Sequence, residues 1–485
     1  MDDQATKSET SPFALQTLRW LALGVFAVRL VTLALFQPFM DETYYWMWGQ
    51  HPALSYFDHP PLIGWTQGLS AAVFGWNLFA LRAPVLLAML GDLGVLYLFA
   101  RRLSGERWQE HFWLTALLFL TTPVYFLLTS LALPDHLAIL ALLTSLYCVH
   151  GVLVAHDAGQ RATRLIYLGA VALGLALLCK FTLALAAIGM LAFLILSPRY
   201  RVLLRNPHLW VAVLVALAMQ TPVIVWNVQH DYAGFGYVTG GRAGLANLLR
   251  FGGTLGYLFG IVLMLSPFLL VPAWRFLVDR REAAAGIART IAWVSTLAFL
   301  VASIFTNILV HWNLVAYVAA LPFLGVYLRS RLLLVGHLVF SALFMVAIVV
   351  NYGVFPLVAA VDTTDRTSAW SFGWDETAAR VEALKLEHPD AFVAGSGYEL
   401  ASQLGFAMHD RDIVSLANSR DAYDDIFDAK AHAGMEALIV ADGYRRIGPI
   451  ARHFTNAELL ETVEVKRLGR TVATRQIYLG SGFVP

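Results

Sequence analysis

Residues 37–65 carry Asp41, Glu42, Asp58 and His59 among many aromatic residues. Trp and Tyr concentrate where a membrane meets water, because their apolar rings carry a polar group. Acids held close to lipid are costly unless they are paired or have a function. A carboxylate at this depth can take the proton of an attacking hydroxyl, so we predict that Asp41 and Glu42 are catalytic. The alternative is an ordinary loop in which both acids cap a helix.

Two cations have the character of phosphate ligands. A leaving phosphate is best held by Lys or Arg side chains. Lys180 interrupts the apolar run Leu-Leu-Cys-Lys-Phe-Thr-Leu, and Arg242 follows two glycines, which allow a close approach of the backbone. We predict that both bind the phosphate group of a substrate. The alternatives are a lysine that snorkels at a helix end and a solvated surface arginine.

A divalent metal is a further hypothesis. Asp58 and His230 are predicted ligands, and Asp135, His59 or His311 would have to complete the set, because two ligands hold a metal ion poorly. Zn²⁺, Mg²⁺ and Mn²⁺ all stay open, and no other cofactor is assigned. The alternative is that each histidine is simply hydrogen-bonded or interfacial.

The composition is that of a polytopic membrane protein. The 485 residues are 58% hydrophobic and 14% charged, with a mean hydropathy of +0.64. The net charge of +1 indicates no particular partner, and the two cysteines lie in apolar runs where no disulfide framework is expected. The polar N-terminus precedes an apolar run without a small-residue cleavage site, so we interpret that run as a retained helix.

Apolar runs long enough to cross a membrane predict eleven spans, since each span needs roughly 20 residues. Their approximate bounds are 16–36, 79–100, 110–128, 132–154, 164–179, 182–197, 208–226, 247–272, 289–306, 313–329 and 332–353. The apolar segment 60–75 contains two prolines and is predicted to be a helix at the membrane surface. Residues 1–15 are then a cytoplasmic tail, and 16–356 form a transmembrane domain with an outer loop at 37–78.

Arginine-rich loops alternate with loops that carry few cations. The basic loops lie at 101–107, 155–164, 198–207, 273–289 and 329–331. The positive-inside rule places them in the cytoplasm and the alternate loops outside. Polar groups collect on that outer side, and those predicted to line a substrate pocket are Tyr44, Tyr45, Asp135, His136 and His311.

Two charges fall inside predicted spans. Arg29 and Asp92 lie at comparable depth when residues are counted at about 1.5 Å each from the cytoplasmic ends. We predict that they form an ion pair between the first two spans. The alternative is that Arg29 snorkels and Asp92 bonds another helix.

Residues 362–485 have a different composition, with 13 basic and 19 acidic residues. Strand-length apolar runs occur at 391–395, 437–441 and 475–479, and helical stretches lie near 375–387, 398–408 and 444–454. This alternation predicts a small α/β domain, which an odd number of spans places in the periplasm. Its acidity argues against nucleic acid as a partner.

Several motifs together resemble the GT-C membrane glycosyltransferases. Residues 41–46, Asp-Glu-Thr-Tyr-Tyr-Trp, and 56–62, Tyr-Phe-Asp-His-Pro-Pro-Leu, resemble the first outer loop of this class. The resemblance is to the bacterial family 39 type, akin to protein O-mannosyltransferases and the lipid A aminoarabinose transferase, and it covers nearly the whole chain. Further matching motifs lie at 81–84, 134–136, 174–180, 226–230 and 311–312.

The resemblance implies a polyprenyl-phosphate-linked sugar as donor and a periplasmic glycan, lipid or protein as acceptor. Asp41 falls where the family has its catalytic acid, and Lys180 where the aminoarabinose transferase has a phosphate-binding lysine. Asp58 and His230 fall near a zinc-binding Glu and His of that enzyme, with Asp in place of Glu. His59 replaces a lysine and would bind the donor phosphate in a pH-dependent way.

These observations predict a polytopic α-helical, GT-C-like protein of the bacterial inner membrane, surrounded by lipid. Its predicted activity is that of an inverting hexosyl- or pentosyltransferase. The alternative from another class is a flippase for lipid-linked sugars, which should show repeats and polar groups near the midplane of several helices. A non-catalytic envelope-binding protein is the third hypothesis.

Overall fold

A computed structural model of the protein describes residues 14–239, 251–361 and 364–485. The chain forms a helical membrane portion followed by a C-terminal domain that contains a β-sheet. The helices of the membrane portion are α1 (Leu15–Leu35), α2 (Met40–Gln50), α3 (Leu62–Phe74), α4 (Leu78–Ser104), α5 (Trp108–Thr121), α6 (Pro123–Leu128), α7 (Pro134–Asp157), α8 (Thr163–Leu177), α9 (Ala184–Leu196), α10 (Pro207–Ala218), α11 (Thr221–Gln229), α12 (Ala233–Thr239), α13 (Phe251–Leu265), α14 (Leu270–Val278), α15 (Gly286–Ser303), α16 (Leu314–Tyr327) and α17 (Arg331–Gly353).

Long apolar helices confirm a multi-pass membrane protein, but not the predicted number of spans. Within the described ranges, six helical segments are long and apolar enough to cross a membrane. Two more candidates are helix pairs, α10 with α11 and α13 with α14, which bend by 40° and 86°. The apolar segments 62–74, 163–177 and 181–196 are shorter than a full span. Most of the segment 60–75, which was predicted to lie at the membrane surface, forms the helix α3. Its depth in the membrane stays a prediction.

One apolar segment contains a reversal of the chain. Helices α4 and α5 are joined by a single turn of 3₁₀ helix that begins at Gly105, where φ is +49°. The two helices pack against each other, so the chain turns back at this point. The predicted boundary between the second and third spans, at the basic loop 101–107, is thus where the structure has its turn.

The predicted ion pair between Arg29 and Asp92 is wrong as a direct contact. The Arg29 guanidinium instead donates to the Thr129 hydroxyl at 2.6 Å and to Ser130 at 3.1 Å, and it also reaches carbonyls at the ends of α5 and α6. Asp92 is fully buried, and no hydrogen-bond partner for its carboxyl group occurs among the described residues. The two charges act on each other only through space, because the turn after α6 offers Arg29 a nearer set of oxygens.

Two glycines allow α2 and α3 to cross closely. A Cβ added at Gly49 would lie 2.4 Å from the backbone nitrogen of Gly68, and one added at Gly68 would lie 2.6 Å from the carbonyl oxygen of Gly49. Backbone atoms cannot move aside as a flexible side chain can. The crossing therefore requires glycine on both helices.

We expect Gly49→Ala to lower the free energy of unfolding by about 1–3 kcal/mol, because the added methyl group overpacks the crossing. The midpoint of thermal unfolding in detergent measures this change. Gly24→Ala is the matched control, since a Cβ at Gly24 in α1 meets no atom within 4 Å. An equal effect of both substitutions would contradict the close crossing.

The C-terminal domain combines short helices with one mixed sheet. Its helices are α18 (Arg366–Ala369), α19 (Trp374–Glu387), α20 (Tyr398–Met408) and α21 (Gly448–Ala451). Its strands are β1 (Phe392–Gly395), β2 (Val414–Ser415), β3 (Ala437–Asp442), β4 (Phe454–Arg467) and β5 (Arg470–Phe483). The strand order is β2-β1-β3-β5-β4, with β1 parallel to β2 and β3, and β5 antiparallel to β3 and β4.

The predicted elements of this domain are largely present. Strands β1, β3 and β5 and helices α19 and α20 lie where the sequence placed them. The helix predicted at 444–454 is wrong, since only Gly448–Ala451 is helical there. Strands β2 and β4 were not predicted.

Candidate active site

Helix α2 begins at Met40, shortly after α1 ends at Leu35. The Glu42 carboxylate accepts a hydrogen bond from the backbone nitrogen of Phe39 at 2.9 Å, which caps the first turn of the helix. Asp41, the second residue of α2, therefore sits in that first turn at a fixed position. The local sequence thus fixes where the predicted catalytic acid lies.

Glu42 is held by a buried network. It is fully buried, and each of its two oxygens accepts two hydrogen bonds, from Arg82, Phe39 and Ala132. Arg82 also donates to three carbonyls at the end of α1, which would otherwise lack partners. These contacts tie α1, α2 and α4 together, and they leave Glu42 shielded from any substrate.

Lys180 forms a buried ion pair with Asp135. The Lys180 Nζ lies 2.8 Å from Oδ1 and 3.1 Å from Oδ2 of Asp135, and the two residues are 5% and 3% exposed. Asp135 lies in the first turn of α7, and Lys180 follows α8 in extended backbone conformation. Leu178 of the same turn accepts a hydrogen bond at 3.1 Å from the backbone nitrogen of Leu62, so α3 holds the Lys180 turn against the outer loop.

Asp41 lies within electrostatic reach of Lys180. The pKa of Asp41 is raised to about 7, mainly by burial; the nearby carboxylates of Glu399, Asp58 and Glu42 also raise it, and Lys180 lowers it. Asp41 and Lys180 are therefore close enough to act on each other's charge.

Tyr44 and Tyr45 lie on the same helix as Asp41. The Tyr44 hydroxyl donates to Asp58 at 2.6 Å and accepts from the backbone nitrogen of Ala422 at 2.8 Å. Burial raises the pKa of Tyr45, and the charges of Asp41 and Asp58 raise it further. Burial raises the pKa of Tyr44 as well, so both tyrosines stay protonated at neutral pH.

The predicted histidines are placed differently from one another. His59 lies against the Tyr45 ring, with 6.0 Å between centroids, and both His59 and His311 act electrostatically on Asp135. His136 is fully buried, and neither ring nitrogen has a hydrogen-bond partner among the described residues. His59 and His311 thus lie within electrostatic reach of Asp135, whereas His136 is inaccessible to solvent.

The predicted metal ligands have other partners. His230 stacks on Trp226 with 4.1 Å between ring centroids, and its Nε2 lies 4.0 Å from Asp425 of the C-terminal domain. Asp58 is bonded to Tyr44. No group of three or more His, Cys, Asp or Glu side chains suited to a metal ion occurs within residues 14–239, 251–361 and 364–485. The described residues therefore do not fit a metal site. Arg242, the second predicted phosphate ligand, lies outside the described residues.

The C-terminal domain contributes residues that sequence reasoning missed. Tyr398 packs on Tyr44 with 4.4 Å between ring centroids, and the next residue, Glu399, is the carboxylate that acts most strongly on Asp41. Both residues open α20 directly after the turn Gly395-Ser396-Gly397. The sequence shows a glycine-flanked turn between a strand and a helix. It does not show that the helix after this turn contacts α2.

The arrangement can support proton transfer beside an anion-binding group. A carboxylate with a pKa near 7 can exchange a proton at neutral pH, which is what a general base requires. An ammonium group held by a carboxylate in a water-poor pocket can bind a phosphate strongly.

Comparison with known proteins finds similarity to one sequence family over part of the chain. Residues 58–226 match the profile of the family described as dolichyl-phosphate-mannose-protein mannosyltransferase. The lipid A galacturonosyltransferase RgtD of Rhizobium johnstonii is 27% identical over 194 residues, which span 40% of this chain and 39% of that protein.

The structural similarity extends over the whole chain. ArnT from Cupriavidus metallidurans bound to undecaprenyl phosphate superposes with a TM-score of 0.64, and 16% of the residues are identical. The superposition covers 96% of this chain and 98% of that one, and the apo form of ArnT gives a TM-score of 0.63. The fold is therefore the GT-C fold expected from the motifs.

Proposed function

We propose that this protein, a GT-C-fold chain related over residues 58–226 to the mannosyltransferase family, is a membrane glycosyltransferase that uses a polyprenyl-phosphate-linked sugar. The observation that carries the proposal is the position of Asp41 within electrostatic reach of Lys180. One similar structure holds undecaprenyl phosphate, which supports this class of donor.

The reaction is a direct displacement at the anomeric carbon. Asp41 takes the proton of the acceptor hydroxyl while the hydroxyl oxygen forms a bond to C1 of the sugar. The bond between C1 and the phosphate oxygen breaks, and its electron pair leaves with the polyprenyl phosphate. Because attack and departure occur on opposite faces, the anomeric configuration is inverted.

Lys180 stabilises the departing phosphate. Its ammonium group has three donors, and two of them are directed at Asp135. A phosphate that approaches this pair therefore meets a cation already fixed in position. Glu42 keeps α2 in place through Arg82, so its role in the reaction is to position Asp41 rather than to touch the substrate.

The relatives support a hexose as the transferred sugar and a lipid A-type glycolipid as the acceptor, because the galacturonosyltransferase has both in its name. The alternation of basic loops supports an inner-membrane location with the site on the periplasmic side. These similarities favour a transferase over a flippase.

Lipid extraction followed by mass spectrometry of a deletion strain tests the proposal. The strain should lack one sugar residue on an envelope glycolipid and should accumulate a polyprenyl-phosphate sugar. Complementation with the intact gene should restore the wild-type profile. Unchanged lipids in the deletion strain would contradict the proposed activity.

We expect Lys180→Ala to raise the KM for the donor about 10- to 100-fold, as for the loss of one hydrogen bond to a charged group. Steady-state kinetics with a purified polyprenyl-phosphate sugar measures this change. The substitution also leaves Asp135 buried without its partner, which by itself destabilises the protein.

The double variant Lys180→Ala/Asp135→Asn separates the two effects. It removes the unpaired charge, so stability should recover while the high KM remains. Recovery of the wild-type KM in the double variant would remove Lys180 from donor binding.

A further inference from the structure

The C-terminal domain is seated directly on the helix that carries Asp41. Helix α20 packs against α2, and the rings of Tyr398 and Tyr44 meet there at an interplanar angle of 37°. At the same contact the Gln403 amide donates to the Pro38 carbonyl at 2.9 Å, and a Cβ at Gly405 would lie 2.9 Å from the Met47 methyl group. These contacts join α20 along most of its length to α2 and to the residue Pro38 that precedes it.

A charged pair lies at the first turn of α20. Arg445 donates to Glu399 through two nitrogens, Nε to Oε2 at 3.0 Å and the terminal nitrogen to Oε1 at 2.6 Å. Glu399 is 3% exposed, so the pair is fixed in a largely buried setting. A two-point contact of this kind has a defined geometry as well as a strong attraction.

The backbone around this pair is also fixed. The carbonyl of Arg445 accepts from the Ser396 hydroxyl at 2.6 Å, and its backbone nitrogen donates to Asp442 at 2.6 Å. A Cβ at Gly397 would lie 2.9 Å from both the Arg445 Nε and the Glu399 Oε2, so glycine at this position leaves room for the pair.

The charge of Glu399 acts on Asp41 across the interface. Burial is the main cause that raises the pKa of Asp41, and Glu399 is the largest contribution from a neighbouring charge. The other charged groups that face Asp41 among the described residues are Asp58, Glu42 and Lys180. The hydroxyls of Tyr45 and Tyr398 face it as well.

We propose that Glu399 and Arg445 are positioning residues of the catalytic centre, and that the C-terminal domain uses this ion pair, held where α20 packs on α2, to set the charge environment of Asp41. The inference rests on the proposed function only in giving Asp41 the role of base. Arg445 neutralises part of the Glu399 charge, so the two residues act on Asp41 in opposite directions. Neither residue needs to touch the substrate.

The test follows the protonation of Asp41 without turnover. Infrared difference spectra of the full-length protein in detergent are recorded against pH, and the Asp41 carboxyl band is identified by its loss in Asp41→Asn. In the wild type this band should titrate near pH 7. Glu399→Gln should lower the midpoint by about half a pH unit, because a neighbouring negative charge is removed. Arg445→Gln should raise it by a similar amount, because the Glu399 charge is no longer neutralised.

The matched control is Glu461→Gln. Glu461 lies on the edge strand β4 of the same domain, and its substitution breaks an exposed ion pair with Arg380. It should leave the midpoint unchanged. Midpoints that stay at the wild-type value in both test variants, or that move in the same direction, would overturn the proposal. If Glu399→Gln does not fold, the direction of the shift in Arg445→Gln decides alone.

The kinetic readout distinguishes this inference from the proposed function. If the protein transfers sugar, the acidic limb of kcat/KM should follow the infrared midpoints in both variants. If no transfer is detected while the infrared midpoints move in opposite directions, the proposed function fails and the coupling of Glu399 to Asp41 stands.

Discussion

Asp41→Asn should reduce kcat/KM for sugar transfer about 100- to 10,000-fold, the range typical of a lost general base. Asparagine has nearly the same shape as aspartate but cannot accept the proton of the acceptor hydroxyl at neutral pH. Donor binding should change little, because Lys180 and Asp135 form their ion pair independently of Asp41. Single-turnover assays with the purified protein separate the chemical step from donor binding.

Asp375→Asn is the matched control for this substitution. Asp375 is also the second residue of a helix, α19, but it is exposed on the C-terminal domain. Both substitutions remove a negative charge from a first helical turn, where it interacts favourably with the helix dipole. Activity should stay near wild type in Asp375→Asn. Transfer at more than a tenth of the wild-type rate in Asp41→Asn would remove Asp41 from the mechanism.

Arg82→Met should lower the free energy of unfolding by about 3–5 kcal/mol, because it leaves the Glu42 carboxylate buried without its cation. It also removes the donors from three carbonyls at the end of α1. The loss should appear as a large fall in the midpoint of thermal unfolding, or as protein that does not accumulate in the membrane.

Arg107→Met provides the comparison, because the ion pair of Arg107 with Glu110 is exposed and contributes at most about 1 kcal/mol. The double variant Arg82→Met/Glu42→Gln should recover part of the stability, since the uncompensated charge is gone. Equal stability of Arg82→Met and Arg107→Met would contradict the structural role assigned to this network.

Local sequence patterns located much of the site. Asp41 and Lys180 stand out because each interrupts an apolar or aromatic run, and the cost of placing a charge near lipid makes such an interruption informative. Asp135 was predicted as one of the polar groups on the outer side, and in the structure it is the partner of Lys180. These predictions needed no knowledge of how the helices pack.

Contacts between distant segments could not be predicted in the same way. The partners of Arg29 are hydroxyl and carbonyl groups about a hundred residues away, and similar depth in the membrane was no guide to them. Glu399 and Arg445 look like ordinary surface charges in the sequence. Their relation to Asp41 depends on the docking of one domain on the other, which no periodicity records.

Strand β4 illustrates a third reason. Its central sequence, Glu-Leu-Leu-Glu-Thr-Val-Glu-Val, contains several residues that favour helices, and most of its side chains are at least partly exposed. The strand is held in place by backbone pairing with β5 along nearly its whole length. The composition of such an edge strand predicts it poorly, because pairing with the neighbouring strand, rather than a buried apolar face of its own, stabilises the extended conformation.

The hydroxyl of Tyr44 joins Asp58 of the membrane portion to the backbone of Ala422 in the C-terminal domain. Suppose that the C-terminal domain of a homologue replaces that of this chain. The junction is then kept only if residues 37–61 are taken from the same homologue. Parts exchanged among such proteins must therefore be cut so that both sides of the junction come from one parent.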